Sequence, residues 1–350
     1  MLIAFFVNSM DDEYPRYTTT VLAHECARRG HSVCYVTPGD FMLSPDDKLH
    51  VHARFAPEMK TKSKDPTKFF ESMQEVGDKT RQIDIDEVDV LMLRNDPSND
   101  AQDRPWAEDI GIQFGRSASR RGVLVLNDPG GLSMAINKLY FQSFPREVRA
   151  DTLITKTAKD VKEFAKKHKN KVVLKPLQGS GGQGVFLVGQ GAKSNLNQMI
   201  EAITRDGYII AQKYVPEADK GDIRLFMMNG HPLRIGNKYA AMRRVNSDDD
   251  IRSNIHAGGK AAAVKITERE LRVAEMIRPK LIADGMFLVG IDIIGDKILE
   301  VNVFSPGNLF TCSKMAEVNF AETIIDSIER KLEISREFPG QFNNRQLAVM

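Results

Sequence analysis

Short apolar runs separated by amphipathic stretches dominate the first 130 residues. Leu2 to Val7 is apolar throughout and reads as a buried strand. Thr18 to Arg29 has helical spacing and stops at Gly30. His31 to Thr37 returns to strand and is ended by Pro38-Gly39. Strand, helix and strand in that order predict a βαβ unit of a parallel sheet. Val88 to Leu93 and Val123 to Leu126 add two buried strands around a helical stretch from Trp106 to Arg121. Residues 41–80 are polar and irregular, and no element is assigned there. Asn127-Asp128-Pro129-Gly130-Gly131 is a strong turn signal and a domain boundary.

The second half has a different texture. Ser133 is placed to cap a helix running through Phe141. Lys159 to Lys171 reads as a solvated, lysine-rich helix. Strands follow at Lys171 to Pro176, Val185 to Val188, Tyr208 to Tyr214 and Ile223 to Met228. Thr267-Glu268-Arg269-Glu270 is a capping box, opening a helix that ends near Asp284-Gly285 with a kink expected at Pro279. Phe287 to Ile294 and Lys297 to Val303 form a hairpin. The last twenty residues are mostly polar and read as a loosely ordered tail.

Composition narrows the function classes. The chain has 350 residues, and 49 Lys plus Arg against 47 Asp plus Glu leave a net charge of +2. With 42% hydrophobic residues there is ample material for cores, so disorder is excluded as the main state. Near-neutrality argues against nucleic acid as the main partner. Cys26, Cys34 and Cys312 are widely spaced and odd in number, which suggests reduced thiols in a cytoplasmic protein. No CxxC pair occurs, so no cysteine-based zinc site is expected. The apolar N-terminus is only seven residues long and runs into Asn8 and Asp11-Asp12-Glu13, unlike a signal peptide. No apolar run approaches the roughly 18–20 residues that span a bilayer, so no membrane is expected as a partner.

The chemistry concentrates between residues 138 and 302. Four of the six residues from Gly179 to Gly184 are glycine, between two strands. Such a loop lets backbone N–H groups close over phosphate oxygens, although a flexible hairpin would look the same. Lys175 ends an apolar strand, where a lysine either faces a cleft or snorkels to solvent. Asp292, Glu300 and Asn302 interrupt otherwise apolar strands. Buried carboxylates are costly unless paired or metal-bound, and three hard oxygen donors suit Mg²⁺. A two-residue turn at Gly295-Asp296 in a regular hairpin would pair Asp292 with Leu299. A shared metal therefore requires a longer loop or a bulge that sets Asp292 opposite Glu300. Arg224, Arg252 and Asn254 are candidates for stabilising transferred phosphate charge. No convincing Ser–His–Asp or Cys–His set occurs, so no enzyme nucleophile is expected.

Taken in order, these segments resemble bacterial glutathione synthetase, an ATP-grasp ligase. They are Asn137-Lys138-Leu139-Tyr140-Phe141, Val173-Leu174-Lys175-Pro176-Leu177 with the glycine loop, Ala211-Gln212-Lys213-Tyr214-Val215-Pro216, Gly221-Asp222-Ile223-Arg224, Arg252-Ser253-Asn254 with Ala257-Gly258-Gly259, and Val289-Gly290-Ile291-Asp292 through Asn302-Val303. The resemblance implies an α/β fold: an N-terminal parallel βαβ (pre-ATP-grasp) domain, residues 1–128, then an ATP-grasp domain with mixed and antiparallel sheets, residues 129–330. Its lid subdomain would span about 150–215, and 331–350 would be the polar tail. It implies ATP held by Lys138, Lys175, the loop residues Gly179, Gly181, Gly182 and Gly184, and the hinge Gln212, Lys213, Tyr214 and Val215. It implies Mg²⁺, with Mn²⁺ as a substitute, on Asp292, Glu300 and Asn302. Arg224, Arg252 and Asn254 would act on the acyl phosphate. Tyr17, Thr18, Arg94, Ser305 and Gly307 would line the substrate pocket, and the chain would be a cytoplasmic homo-oligomer.

The implied reaction is ATP-dependent joining of γ-glutamylcysteine to glycine. Two segments depart from the family pattern. The family usually reads Asn-Val-Thr-Ser-Pro-Thr where this chain has Asn302-Val303-Phe304-Ser305-Pro306-Gly307, and Asp-Ser-Ser where it has Tyr17-Thr18-Thr19-Thr20. A third unusual feature is the acidic run Asp248-Asp249-Asp250 in a loop, Met242 to Ile251, expected to move over the nucleotide. The alternatives are a ligase for a different acid and amine, or a non-catalytic ATP-binding module of the same fold.

Overall fold

The computed structural model of the chain describes residues 1–59, 63, 65–101, 103–178, 184–189, 195–205, 207–245 and 260–350. Among these, the N-terminal strands build one seven-stranded sheet. Leu2–Phe6 runs parallel to Ser32–Val36 on one side and to Val90–Leu93 on the other, and Leu124–Leu126 follows in parallel at the edge. Ile3 and Phe5 enter one apolar core while Ala4 and Phe6 enter another. A strand buried on both faces must be apolar at every position, which is why Leu2 to Val7 shows no alternation.

The stretch 41–80 is corrected by the structure. It holds strands Phe41–Leu43 and Leu49–Phe55 and helix Thr67–Val76. Leu49–Phe55 pairs antiparallel with Ser32–Val36 and carries Arg81–Asp84 beside it. Its alternation of Leu49, Val51 and Ala53 with His50, His52 and Arg54 is that of a strand with one wet face.

A four-stranded antiparallel sheet follows, ordered Phe186–Val188, Val172–Pro176, Ile209–Lys213, Thr152–Thr155. Helices Ala158–Lys167 and Leu196–Thr204 close a small core of its own, with Val161, Leu174 and Ile200. The third sheet is antiparallel and runs Lys260–Ala262, Ala241–Val245, Asp222–Met228, Leu288–Ile294, Lys297–Asn302. One of its faces buries Ile223, Leu225, Val289 and Ile291. The opposite face is apolar at Phe226 and Leu288 and turns charged toward Asp222, Arg224 and Asp292.

Helix Glu268–Ala283 carries the expected capping box and runs through Pro279. The helix expected from Ser133 to Phe141 is not formed. Asp128 caps a helix over Pro129–Met134 instead, its carboxylate accepting from Gly131 N at 3.0 Å. Proline at the first helical position favours this earlier start. Asn137 then caps a separate 3₁₀ turn, Lys138–Ser143.

The last twenty residues are not a loose tail. Lys331 to Glu337 complete helix Phe320–Glu337, and Asn344–Leu347 is a short helix with Leu347 and Ala348 buried. Asn344 donates to Val125 O at 3.0 Å and to Asp128 Oδ2 at 2.9 Å, and accepts from Val125 N at 2.8 Å. Only one side of this segment is apolar, so its composition reads as polar. Cys26, Cys34 and Cys312 are buried and unpaired with one another. Among the described residues no helix is long and apolar enough to cross a membrane.

Candidate active site

The three sheets meet at one cleft. It is lined by Asp96-Pro97-Ser98 from the N-terminal unit, the segment 135–138 with Tyr140-Phe141-Gln142, the inner face of the four-stranded sheet, and residues 299–305.

Lys175 and Lys138 reach the cleft from different elements. Lys175 stands on Val172–Pro176 opposite Ile210, and its ammonium donates to Gln212 Oε1 at 3.1 Å. Gln212 in turn donates to Thr152 Oγ1 at 3.2 Å. Burial pushes the Lys175 ammonium down to about 8, against the pull of Glu300 and with the help of Lys138. Lys138 is lowered for the same reason, opposed by Glu300 and Asp96. Burial disfavours the charge on both ammonium groups, and phosphate oxygens brought into the cleft would favour it. Phe141 lies beneath Lys175, its ring centre 6.0 Å from Nζ.

The carboxylates are brought together by a bulge. Gly295-Asp296 makes the tight turn, with Ile294 paired to Lys297 and Ile293 to Ile298. The register then shifts, so Asp292 faces Glu300 and Gly290 faces Asn302. Leu299 is the extra residue, and both Leu299 and Glu300 line the cleft. Glu300 and Asn302 open onto it, whereas Asp292 is 1% exposed and lies behind them. Asn302 Nδ2 is 3.3 Å from Asp292 Oδ2.

Asp292 is neutralised by arginines. Arg224 Nε and Nη2 reach its two oxygens at 2.5 and 3.0 Å, and Arg244 Nη2 reaches Oδ2 at 2.7 Å. Burial alone would raise this carboxyl, but the two guanidiniums outweigh it and hold it below the usual range. Two carboxylates and an amide oxygen on one face, beside two lysines, fit a hard cation that shares its shell with phosphate oxygens. Among the described residues no group of three or more His, Cys, Asp or Glu is placed to hold a metal, so the amide and outside oxygens are needed here.

The other expected residues fall into place differently. Lys213 is exposed, and Tyr214 is buried under the Lys171 ammonium at 4.8 Å, so of the hinge side chains Gln212 faces the cleft. Val215 is half-buried. Arg94 is buried, and its guanidinium donates to Thr19 Oγ1 at 3.3 Å, Phe304 O at 3.4 Å and Pro306 O at 3.1 Å. Burial lowers it to about 10, partly offset by Glu13. Arg224 Nη1 donates to Gly307 O at 3.4 Å. Two arginines thus fix the 304–307 loop by its carbonyls. Thr18 Oγ1 accepts from Leu309 N at 3.3 Å, and Tyr17 is at the surface beside Tyr14. Phe304 and Ser305 line the cleft. Gly184 is described and has φ +67°, while Gly179, Gly181, Gly182, Arg252, Asn254 and the acidic run Asp248 to Asp250 lie outside the described residues.

Sequence reasoning missed Leu299, Thr152, Ile210 and Arg244. Nothing in strand periodicity marks a bulge, and the others become notable only when separate elements meet. A serine, histidine and aspartate do line up on a surface hairpin, with Ser44 Oγ 3.3 Å from His50 Nε2 and His50 Nδ1 on Asp84. The Ser44 hydroxyl is already held by Asp46 in an exposed turn, so it is not activated for nucleophilic attack.

The comparisons agree with this geometry. A family model described as prokaryotic glutathione synthetase, N-terminal domain, matches residues 1–133, and one described as prokaryotic glutathione synthetase, ATP-grasp domain, matches 137–317. Glutathione synthetase of Gloeobacter violaceus is 33% identical over 332 residues, covering 93% of this chain and 96% of the relative. That of Mesorhizobium japonicum is 32% identical over 316 residues, covering 90% and 93%. The solved structure of D-cycloserine synthetase DcsG superposes with a TM-score of 0.60 at 14% identity, covering 92% of this chain and 99% of that one, which is a likeness of fold.

Proposed function

The chain belongs to the prokaryotic glutathione synthetase family, ATP-dependent ligases built on an ATP-grasp domain, and from that premise we propose that it joins γ-glutamylcysteine to glycine. The observation that carries this reading is the bulge that sets Asp292 opposite Glu300 beside Lys138 and Lys175.

In this reading Lys138 and Lys175 hold the ATP phosphates with the loop Gly179 to Gly184, and Gln212 to Val215 border the base. Asp292, Glu300 and Asn302 would hold Mg²⁺, or Mn²⁺ in its place, and such an ion would supply positive charge to the phosphate oxygens. The cysteine carboxylate attacks that group and ADP leaves. The glycine amine then attacks the acyl carbon, and the C–O bond to phosphate breaks. Arg224, Arg252 and Asn254 stabilise the negative charge on the acyl phosphate and its tetrahedral successor. Tyr17, Thr18, Arg94, Ser305 and Gly307 shape the acid and amine pockets. The unit 1–128 supplies the acid side and 129–330 the nucleotide side. Assembly as a homo-oligomer in the cytoplasm belongs to the same reading, and sedimentation analysis checks the assembly.

The test is phosphate release with ATP, Mg²⁺, γ-glutamylcysteine and glycine, omitting each in turn. Release that needs all four, with a glutathione mass in the product, is expected. A second reading, a different acid or amine, is favoured by Phe304, which lines the cleft where the family usually has threonine. Release with another acid–amine pair and none with this one would replace the first reading by the second.

A further inference from the structure

On the inner face of the four-stranded sheet, three polar side chains form one line of hydrogen bonds. Thr152 lies opposite Gln212 on the neighbouring strand, and Gln212 lies opposite Val173, two residues before Lys175. Side chains alternate along a strand, so Thr152, Gln212 and Lys175 share a face, and all three line the cleft. Lys175 Nζ donates to Gln212 Oε1 at 3.1 Å, Gln212 Nε2 donates to Thr152 Oγ1 at 3.2 Å, and Thr152 Oγ1 donates to Ala150 O at 2.9 Å.

The two ends of this line dictate its direction. A backbone carbonyl only accepts, and an ammonium only donates. Ala150 O takes the single hydroxyl proton of Thr152, which leaves Oγ1 to Gln212 as an acceptor. The amide must then turn its nitrogen toward Thr152 and its oxygen toward Lys175. The reversed amide would set N–H against ammonium and oxygen against oxygen, losing both bonds. Gln212 is 4% exposed, so little water is at hand to replace them. The edge strand Thr152–Thr155 thus sets how an ammonium two strands away is held.

We propose that Thr152 is a positioning residue for nucleotide binding: its hydroxyl, turned by Ala150 O, holds the Gln212 amide oxygen toward Lys175 and so fixes the Lys175 ammonium in the cleft. The inference rests on the reading that Lys175 meets the nucleotide phosphates. Thr152→Val keeps the shape and removes the hydroxyl, so the Gln212 N–H loses its acceptor and the amide is no longer fixed. Thr152→Ser keeps the hydroxyl and removes a methyl group. A role in strand packing alone makes Ser the more damaging change, because β-branched residues suit a strand. A role through the hydroxyl makes Val the more damaging one.

The experiment measures ADP binding to the full chain, with Mg²⁺ present, by calorimetry. Thr152→Val is expected to weaken binding about tenfold, as loss of a hydrogen bond that supports a charged group does. Thr152→Ser should stay within a few-fold of the parent. Parent-like affinity in Thr152→Val, or weaker binding in Thr152→Ser than in Thr152→Val, overturns the proposal. A double-mutant cycle with Gln212→Met separates action through Gln212 from direct contact with the nucleotide. Once Gln212 is Met, adding Thr152→Val should cost less than about twofold. A penalty as large as in the parent overturns the proposal. Should Gln212→Met not fold, the order of Ser and Val at 152 decides alone. Lys175→Met is the control for the underlying reading. If it binds ADP as the parent does, the phosphate role of Lys175 fails together with the proposal. If it binds weakly, a failure in the 152 and 212 variants belongs to the proposal alone.

Discussion

At the scale of residues, the informative positions were those that broke an apolar strand. Lys175, Asp292, Glu300 and Asn302 stand out because each puts charge or an amide where packing asks for Val or Ile. Leu299 does not, since a leucine in a strand reads as core, and only the bulge turns it to the cleft. Its loss should remove apolar contact beneath the base. Leu299→Ala is expected to weaken ADP and ATP alike by about 5- to 30-fold, from ~1–2 kcal/mol of lost burial, as measured by calorimetry. Equal affinity would place the base elsewhere. Lys175 makes nucleotide binding depend on pH. Its lowered value near 8 means that the free protein loses this charge as pH rises through 8. Binding to phosphate requires the protonated form, so affinity should be flat below that point and fall above it, approaching tenfold per pH unit. Lys175→Met should bind weakly throughout and lose most of that slope, with Lys138 supplying any remainder. A parent profile flat to pH 9.5 would remove Lys175 from the phosphate site.

At the scale of elements, the sequence showed the parallel strands and the hairpin through their unbroken apolar runs. It hid the strand Leu49–Phe55, whose alternation lies among polar neighbours, and it misplaced the helix start by five residues. Asp128 and Ser133 are both fair caps, and Pro129 decides between them. The register shift at Asp292 could be required from chemistry but not read from spacing, because a tight turn and a bulge leave the same residues in the same order. The start of strand Asp222–Met228 is tightly constrained. Gly221 has φ +78°, and a Cβ there would lie 1.9 Å from Arg244 O. Gly221→Ala should cost at least ~1–3 kcal/mol, seen as a lower urea midpoint. It should also disturb the Asp222–Arg244 pair next to it. An unchanged midpoint would mean that the two strands separate there without cost.

At the scale of the whole molecule, the two family domains are joined by contacts far apart in sequence. Asn127 donates to Leu288 O at 3.1 Å, and Arg94 donates to Pro306 O at 3.1 Å. Neither pairing could be foreseen from a single chain read locally. Asn344 is the most distant of these ties. Replacing it by Ala leaves Val125 N–H and C=O without this partner, so a loss of about 1–3 kcal/mol is expected on chemical denaturation. A loss below a few tenths would show that water replaces the amide freely. Asn344 also has a bearing on how the protein is made. Leu124–Leu126 is the edge of the N-terminal sheet, and an edge with open N–H and C=O groups invites pairing with another chain. Its partner lies 219 residues further on. At ribosomal speeds that interval is roughly ten to forty seconds, during which the finished sheet waits with its side uncovered. The nascent chain is therefore at its stickiest after its first domain has folded and before its last helix emerges.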